Sequence, residues 1–393
     1  MNYMQNMLRS QRNDAITVIE INDSVKFREM DTEWSCLLQN TLANKLFLSW
    51  HWQYSWWEAW AEELGLSLIL LKAYRGNELV GIAPLYLDSV CLRGTIPIKR
   101  VQFIGNAWGR QGTVRTEYLE FILSRDGASG VARAFLEYMS KLDIWDEFII
   151  CDSIRCSATY QQLSLLKHEY KWFVSEIELD HGVKIHTDGG FQPYVQRLGR
   201  NTRLKLYNRR KYLNNLGDIQ VTHATKNQID LYFDVLNKFH CKRWGKDCFS
   251  GSSLEFHKNL LERMGSRQSR YFSCIKVNGK IVSVSYNLRA ADTIFNLQSG
   301  FEEAYDKKLS LGTLHMGISI EEAFSDEGIC VFDMLAGGGK SEFYKRKYAG
   351  ETVEFITLQV TRNRYLKIVR SMYNILPDNI KRLISKMVSL FRG

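Results

Sequence analysis

The sequence predicts an α+β protein made of two domains of one ancestry, and three observations carry that prediction. The segments LSLILLKAYRGNELVGIAPLYL (66–87) and SRYFSCIKVNGKIVSVSYNLRA (269–290) are both hairpin signatures. Each sets apolar or alternating runs on either side of a two-residue turn, Gly-Asn in one and Asn-Gly in the other, that tolerates positive φ. The elements around the two hairpins follow the same order. A strongly basic stretch stands between the copies. Two copies are too few to stack as a solenoid, so the pattern is a tandem duplication.

The first copy opens with helical patterns in TEWSCLLQNTLANKLF and WQYSWWEAWAEEL, ahead of the hairpin. A strand (KRVQFIG), an extra strand near Glu117–Leu123, a helix (ASGVARAFLEYMSKL), a strand (EFIICDSI), a helix (ATYQQLSLLKHEY) and a last strand (KWFVSEIEL) follow. The second copy places QIDLYFDVLNKFHCKRW and SLEFHKNLLERM before its hairpin. After it come TIFNLQSGF as strand, LGTLHMGISIEEAF as helix, ICVFDML as strand, SEFYKRKYA as helix and VEFITLQV as strand. The expected boundaries are 1–185 for the first domain, 186–217 for a basic helical connector, 218–362 for the second domain and 363–393 for a C-terminal helix. The tryptophans of SWHWQYSWWEAW read as helix core, with sugar stacking as the minority option.

Composition bounds the rest. At 393 residues, 45% hydrophobic and 24% charged, the chain has ample material for packed cores. Four prolines and no Ser/Gly/Pro-rich stretch leave no visible linker. The N-terminal MNYMQNMLRSQRNDA has no apolar core, and no apolar run approaches a membrane span, so neither a signal peptide nor a spanning helix is expected. The expected location is cytoplasmic. Eight cysteines occur singly without a C-x-x-C pair, which predicts buried thiols and no metal site. The net charge of +9 is concentrated: RLGRNTRLKLYNRRK (197–211) has seven basic residues and no acid, and the tail from Arg362 has eight against Asp378 alone. Those segments contribute +14, so the remainder of the chain is −5. From Ile380 the tail repeats apolar residues at helical spacing between Lys381, Arg382, Lys386 and Arg392, a pattern that suits an anionic membrane surface or packing on its own domain.

The stretch FDMLAGGGKSEFYKRKYAGE (332–351) imitates a phosphate-binding loop. The pattern G-x-x-x-x-G-K-[ST] finds Gly339, Lys340 and Ser341, but its first glycine falls on Met334. A strand, a glycine loop and a basic helix therefore need another explanation.

The order of the second copy, ending in a helix with Tyr344–Lys345, resembles the GNAT acyltransferase fold. The chain is similar to bacterial proteins grouped with the cellulose-biosynthesis protein CelD. The resemblance rests on Trp57 with Pro84–Leu85, Ser299–Gly300–Phe301, Ser310–Leu311–Gly312–Thr313, Phe332–Asp333 with Gly337, and Tyr344–Lys345. Leu311 stands where that family usually has proline. The resemblance implies two tandem GNAT-like domains, each a mixed, mostly antiparallel sheet flanked by helices. It also implies an acetyl-CoA or other acyl-CoA co-substrate, and N-acyl transfer to an amine, such as an amino sugar of envelope polysaccharide. The basic connector is similar to that of Fem-type peptidyltransferases, also tandem GNAT proteins, which implies a charged-tRNA donor as the alternative. A non-catalytic assembly factor is the third.

The chemistry distributes as follows. Ser310 can cap the helix that opens there, Gly312 admits close approach, and the N–H groups of Ser310, Leu311, Gly312 and Thr313 suit the pyrophosphate of coenzyme A. The resemblance assigns Tyr344 to protonate the departing sulfur, as a phenol of pKa about 10 can. Lys345 is expected on a donor phosphate or paired with Asp333. Asp333 and His240 are the candidate bases for the acceptor ammonium, with relayed water as a third option. Arg243, Trp244 and Ser299 are candidate acceptor contacts. The first domain lacks S-x-G-T and Y-K, so it reads as a degenerate partner.

Overall fold

The computed structural model describes residues 15–92, 96–265, 272–337, 345–363, 365–368, 377 and 380. The chain forms two compact units. Residues 1–179 with 356–393 make the first and 180–355 the second, so the chain crosses within two long strands. The tail from Ile380 lies outside the described residues except for Ile380 itself. No helix among the described residues is long and apolar enough to cross a membrane.

In the first unit β1 (Ile16–Ile21) is followed by α1 (Ser24–Arg28), α2 (Asp31–Gln39) and α3 (Trp50–Leu64). The hairpin β2 (Ser67–Arg75) and β3 (Glu78–Leu92) comes next, then β4 (Ile96–Phe103), β5 (Ile122–Leu123), α4 (Ala128–Lys141), β6 (Glu147–Ser153) and α5 (Ala158–Leu166). The extra strand expected at Glu117–Leu123 is thus only two residues long. Strands lie in the order β1-β2-β3-β4-β6, with β5 against β3. Every pair is antiparallel except β4/β6, which run parallel over Arg100–Gln102 and Glu147–Ile149. Helix α3 starts because Ser49 accepts the Trp52 N–H at 3.1 Å, and stops at Gly65 in the left-handed conformation. Its tryptophans are core: Trp52 Nε1 donates to Thr116 Oγ1 at 2.8 Å and Trp50 Nε1 to the Phe27 carbonyl at 2.9 Å. A sugar platform needs an exposed ring face, and Trp50, Trp52, Trp56, Trp57 and Trp60 are all buried.

The second unit begins within β7 (Phe173–His186) and continues through the connector helices α6 (Phe191–Arg197), α7 (Arg200–Arg203) and α8 (Arg209–Asn214). A π-helical turn over Leu204–Asn208 joins the last two. Then come β8 (Ile219–His223), α9 (Ile229–Trp244), α10 (Ser252–Met264), β9 (Phe272–Val277), β10 (Lys280–Ala290), β11 (Thr293–Phe301), α11 (Leu311–Ser325) and β12 (Val331–Ala336). The chain leaves this unit within β13 (Glu351–Thr361). The order β7-β12-β11-β10-β9-β8 is antiparallel except for β11/β12. The hairpin turn Asn278–Gly279 has φ of 50° and 78°, both positive as a two-residue primed turn requires.

Successive residues of β11 face opposite helices. A Cβ on Gly300 would lie 2.8 Å from Leu236 of α9, while Phe301 packs on Gly312 of α11. Helices α9 and α10 therefore cover one sheet face, and α11 with the connector covers the other. Tyr286 is boxed by Phe233, Phe249, Phe272 and His257 on the first face. On the other face, Leu206 of the connector joins Met316, Ile320, Ile294 and Phe332 in one buried cluster.

Candidate functional site

The distinctive geometry of the second unit is a splay between two parallel strands. β11 and β12 pair over Thr293–Val331, Ile294–Phe332 and Phe295–Asp333, and no further. Beyond that point β11 carries a bulge: Gln298 faces Tyr286 and Asn296 faces Asn287, so Leu297 is the extra residue. Strand β12 also departs from regular form, with a register shift after Asp333 and Leu335 at φ 58°. Bulges leave backbone groups outside the ladder and re-aim the chain, and the splay opens a wedge whose walls are main chain.

One wall leads into α11. Ser310 occupies the N-cap but its hydroxyl does not bond the helix N–H groups; it lies 2.9 Å from Thr313 Oγ1. The first turn is thus without a side-chain cap, which gives the helix start its partial positive charge. Leu311, Gly312 and Thr313 are buried beneath it. The space beside Gly312 is filled by the Phe301 ring, 2.3 Å from where a Cβ would stand, so this glycine serves a close approach within the protein. The loop before the helix exposes Lys307 and Lys308. Tyr212 of α8 steadies that loop through Asp306 Oδ2 at 3.1 Å.

The C-terminal end of α9 meets the same loop. Lys242 pairs with Glu302, and Arg243 Nε lies 2.8 Å from Glu303. The Arg243 guanidinium stands over the rings of Trp244, 4.9 Å away, and Phe301, 5.5 Å away. Trp244 is 61% exposed, a large apolar surface left open to solvent. His240, one turn earlier, places Nδ1 2.7 Å from the Lys246 carbonyl. A carbonyl only accepts, so Nδ1 carries the proton, and the lone pair of the neutral tautomer is the one on Nε2. Ser299 is half-buried on β11, two residues before Phe301.

The other wall ends differently. Asp333 is 1% exposed, and its Oδ1 accepts the Leu335 N–H at 2.8 Å, folding the carboxylate onto the bulge of its own strand. The Lys345 ammonium donates to the carbonyls of Met334, Leu335 and Ala336 at 2.6, 2.9 and 2.6 Å. Its three hydrogens meet three successive carbonyls at the bulge. The structure therefore assembles two groups. Arg243, stacked on Trp244, and Gly312 of the Ser310–Thr313 turn meet at Phe301, two residues after Ser299, and Asp333 with Lys345 gather at the end of β12. Tyr344 lies outside the described residues, as do Gly338, Gly339, Lys340 and Ser341.

Two buried histidines were not singled out from sequence. His315 of α11 is 1% exposed, with Nε2 3.0 Å from Ser273 Oγ and Nδ1 2.8 Å from Ser283 Oγ. Burial, helped by the charge of His223, pushes its pKa down to about 3. His257 sits 3.2 Å from the Tyr286 hydroxyl and is likewise lowered to about 3 by burial alone. A seam of Ser285, Asn287, Asn296 and Ser319 continues the polar row. A lone histidine inside an apolar helix pattern does not announce its serine partners, which come from two other strands.

The first unit has a parallel strand pair in the same place, but side chains fill its surroundings. Arg100 Nε lies 2.6 Å from Glu147 Oε1, both buried, and Arg100 also donates to the Trp108 carbonyl at 2.8 Å. Arg115 bonds both oxygens of Asp152, and Arg110 both of Asp88. At the start of α4, the Arg75 guanidinium covers Gly127, 2.5 Å from where a Cβ would stand.

Residues 200–346 match a family model described as an acetyltransferase (GNAT) domain. No curated protein matches the chain in sequence. Among solved structures, FemX is similar at 12% identity and TM-score 0.56, over 86% of this chain and 96% of that one. A conserved protein of unknown function from Bacteroides thetaiotaomicron aligns at 12% identity and TM-score 0.53, over 87% and 99%. The L-PGS of Bacillus licheniformis aligns at 12% identity and TM-score 0.50, over 86% and 94%. At such identity these likenesses speak for the fold. Residues 200–346 are thus similar to the GNAT acetyltransferase domain, inside an α+β fold that uses the same order of elements twice and is shared with these solved structures over most of the chain.

Proposed function

We propose that the chain is an N-acyltransferase that moves an acyl group, acetyl in the first instance, from acyl-CoA to an amine acceptor such as an envelope amino sugar. The single observation that carries this reading is the wedge between β11 and β12, with an uncapped helix start and Lys307 and Lys308 beside its mouth. A pantetheine arm is an extended amide chain, and a wedge walled by main chain suits it. Its pyrophosphate suits the start of α11.

In the reaction the acceptor nitrogen attacks the thioester carbonyl carbon, the C–S bond breaks, and the thiolate takes a proton. Tyr344 is assigned that proton donation, and the second proton, shed by the nitrogen as the amide forms, restores its phenol. The acceptor ammonium first gives a proton to a base. His240 is the better candidate, since its Nδ1–H bond to a carbonyl leaves Nε2 free to accept. Asp333 already accepts a backbone N–H and is buried, so its part is to hold the bulge. Lys345, with its hydrogens on three carbonyls, holds the same wall. Arg243 and Trp244 are assigned to the acceptor.

Calorimetric titration with acetyl-CoA and longer acyl-CoAs tests the reading. Ser310→Asp is the control, because aspartate caps a helix well yet places a negative charge where the pyrophosphate would sit. Micromolar binding lost in this folded variant supports the reading; absence of binding by every acyl-CoA overturns it. A second reading, transfer from charged tRNA, is favoured by one observation. Arg197, Arg200, Lys205 and Lys211 of the connector are exposed and have no carboxylate partner among the described residues. Steeply salt-dependent tRNA binding without acyl-CoA binding would select it.

A further inference from the structure

Away from the wedge, α8, β8 and α11 enclose a cleft of about 530 Å³. That volume is within the range of small-molecule sites, roughly 300–1,000 Å³. Each element contributes one stripe: Arg210, Leu213 and Asn214 from α8, Ile219, Val221 and His223 from β8, and Leu314, Ile318, Glu321, Glu322 and Ser325 from α11. The stripes agree in direction. Leucine, isoleucine and valine line one end beside Asn214, and the charged residues line the other. Leu213, Leu314 and Ile318 belong to the buried cluster beneath, while Ile219 and Val221 are only partly covered.

The charges at the polar end do not cancel evenly. Arg210 Nη2 lies 2.6 Å from Glu321, and Arg289 pairs with Asp326 at 3.4 Å. Among the described residues Glu322 pairs with His223 alone, 3.1 Å away, and an imidazole is not a permanent cation as a guanidinium is. The other basic residues of α8, Arg209 and Lys211, do not line the cleft. The cleft thus offers an apolar floor with one carboxylate that a full positive charge would complement.

We propose that the cleft between α8, β8 and α11 binds a small amphipathic ammonium compound, its apolar part over Leu314 and Ile318 and its cation at Glu322. Its cation end is separate from the wedge, since Glu322 lies eleven residues along α11 from Leu311, ~16 Å at 1.5 Å per residue, while Leu314 at the apolar end is one turn from the helix start. It stands whether or not the acyl-transfer reading does, because its evidence is the cleft alone.

The test uses the full chain and three eight-carbon probes of one shape: octylammonium, octanol and octanoate. Calorimetry should rank them in that order, with octylammonium about tenfold tighter than octanoate, a difference of about 1.4 kcal/mol. Isoleucine methyl labelling should show the perturbation at Ile219 and Ile318. Glu322→Gln, at a partly exposed site, should abolish the preference for octylammonium over octanol while keeping octanol binding. Equal affinity for ammonium and carboxylate, perturbation elsewhere, or a preference that survives Glu322→Gln would overturn the proposal. If the variant misfolds, the ranking and the methyl map of the unaltered chain decide by themselves.

Discussion

Single titrating side chains set how this molecule responds to pH. Glu120 in the first unit is pushed up to about 7 by burial, against the opposing charge of Lys45. Its native value lies above the unfolded one, so the folded form holds the proton longer. Stability from this residue therefore falls as pH climbs from about 4.5 to about 7. Glu120→Gln should stabilise the chain at pH 8 by about 1–2 kcal/mol, the partial exposure of the side chain screening the rest, and change little at pH 4. Denaturant melts at the two pH values read this directly, and equal shifts at both would refute it. The buried histidines act in the opposite direction. Their native values, about 3, lie below the ordinary one, so their stability is complete above pH 6.5 and is lost as pH falls toward 3. His315→Gln removes one such group while keeping polar atoms for Ser273 and Ser283. It should reduce the loss between pH 7 and pH 4 by about 2 kcal/mol; parallel acid curves for variant and parent would exclude the assignment.

At the scale of elements, the packing of the connector on α11 is decided by one glycine. A Cβ at Gly317 would stand 2.4 Å from the Leu206 carbonyl oxygen in the π-helical turn. Helix propensity alone predicts that Gly317→Ala gains about 1 kcal/mol. Overpacking against main chain predicts a loss of about 1–3 kcal/mol, since the π turn would have to move. The loss should win, and a raised denaturation midpoint would show that the turn yields. Such contacts also explain what was legible beforehand. The hairpins, their turn glycines and the repeated order of elements were readable, because turn chemistry and periodicity are local. The splay after Phe295, the extra residue Leu297 and the positive φ at Leu335 were not, because register is set by partners far along the chain. Gly300 and Gly312 stood out in the motif, yet the protein itself fills the space beside them, with Leu236 and Phe301. The lysine of the motif stood out as a candidate, but not its three carbonyl partners.

At the scale of the whole molecule, a duplicated order of elements raises the question of how many donor sites the chain has. The wedge of the second unit is walled by main chain, and its helix start is without a side-chain cap. The corresponding strand pair of the first unit is surrounded by ion pairs, among them the buried Arg100–Glu147 contact, and Arg75 covers the start of its helix. A ligand at the open end of that pair, beyond Gln102 and Ile149, would meet Asp152 already held through both oxygens by Arg115, and at the helix start it would have to displace Arg75. Acyl-CoA should therefore bind with a stoichiometry of one per chain, and Ser310→Asp should abolish all of it. Calorimetry on a chain quantified by its absorbance measures the ratio. A value of two, or one site that survives Ser310→Asp, would place a working donor site in the first unit and refute its role as a degenerate partner.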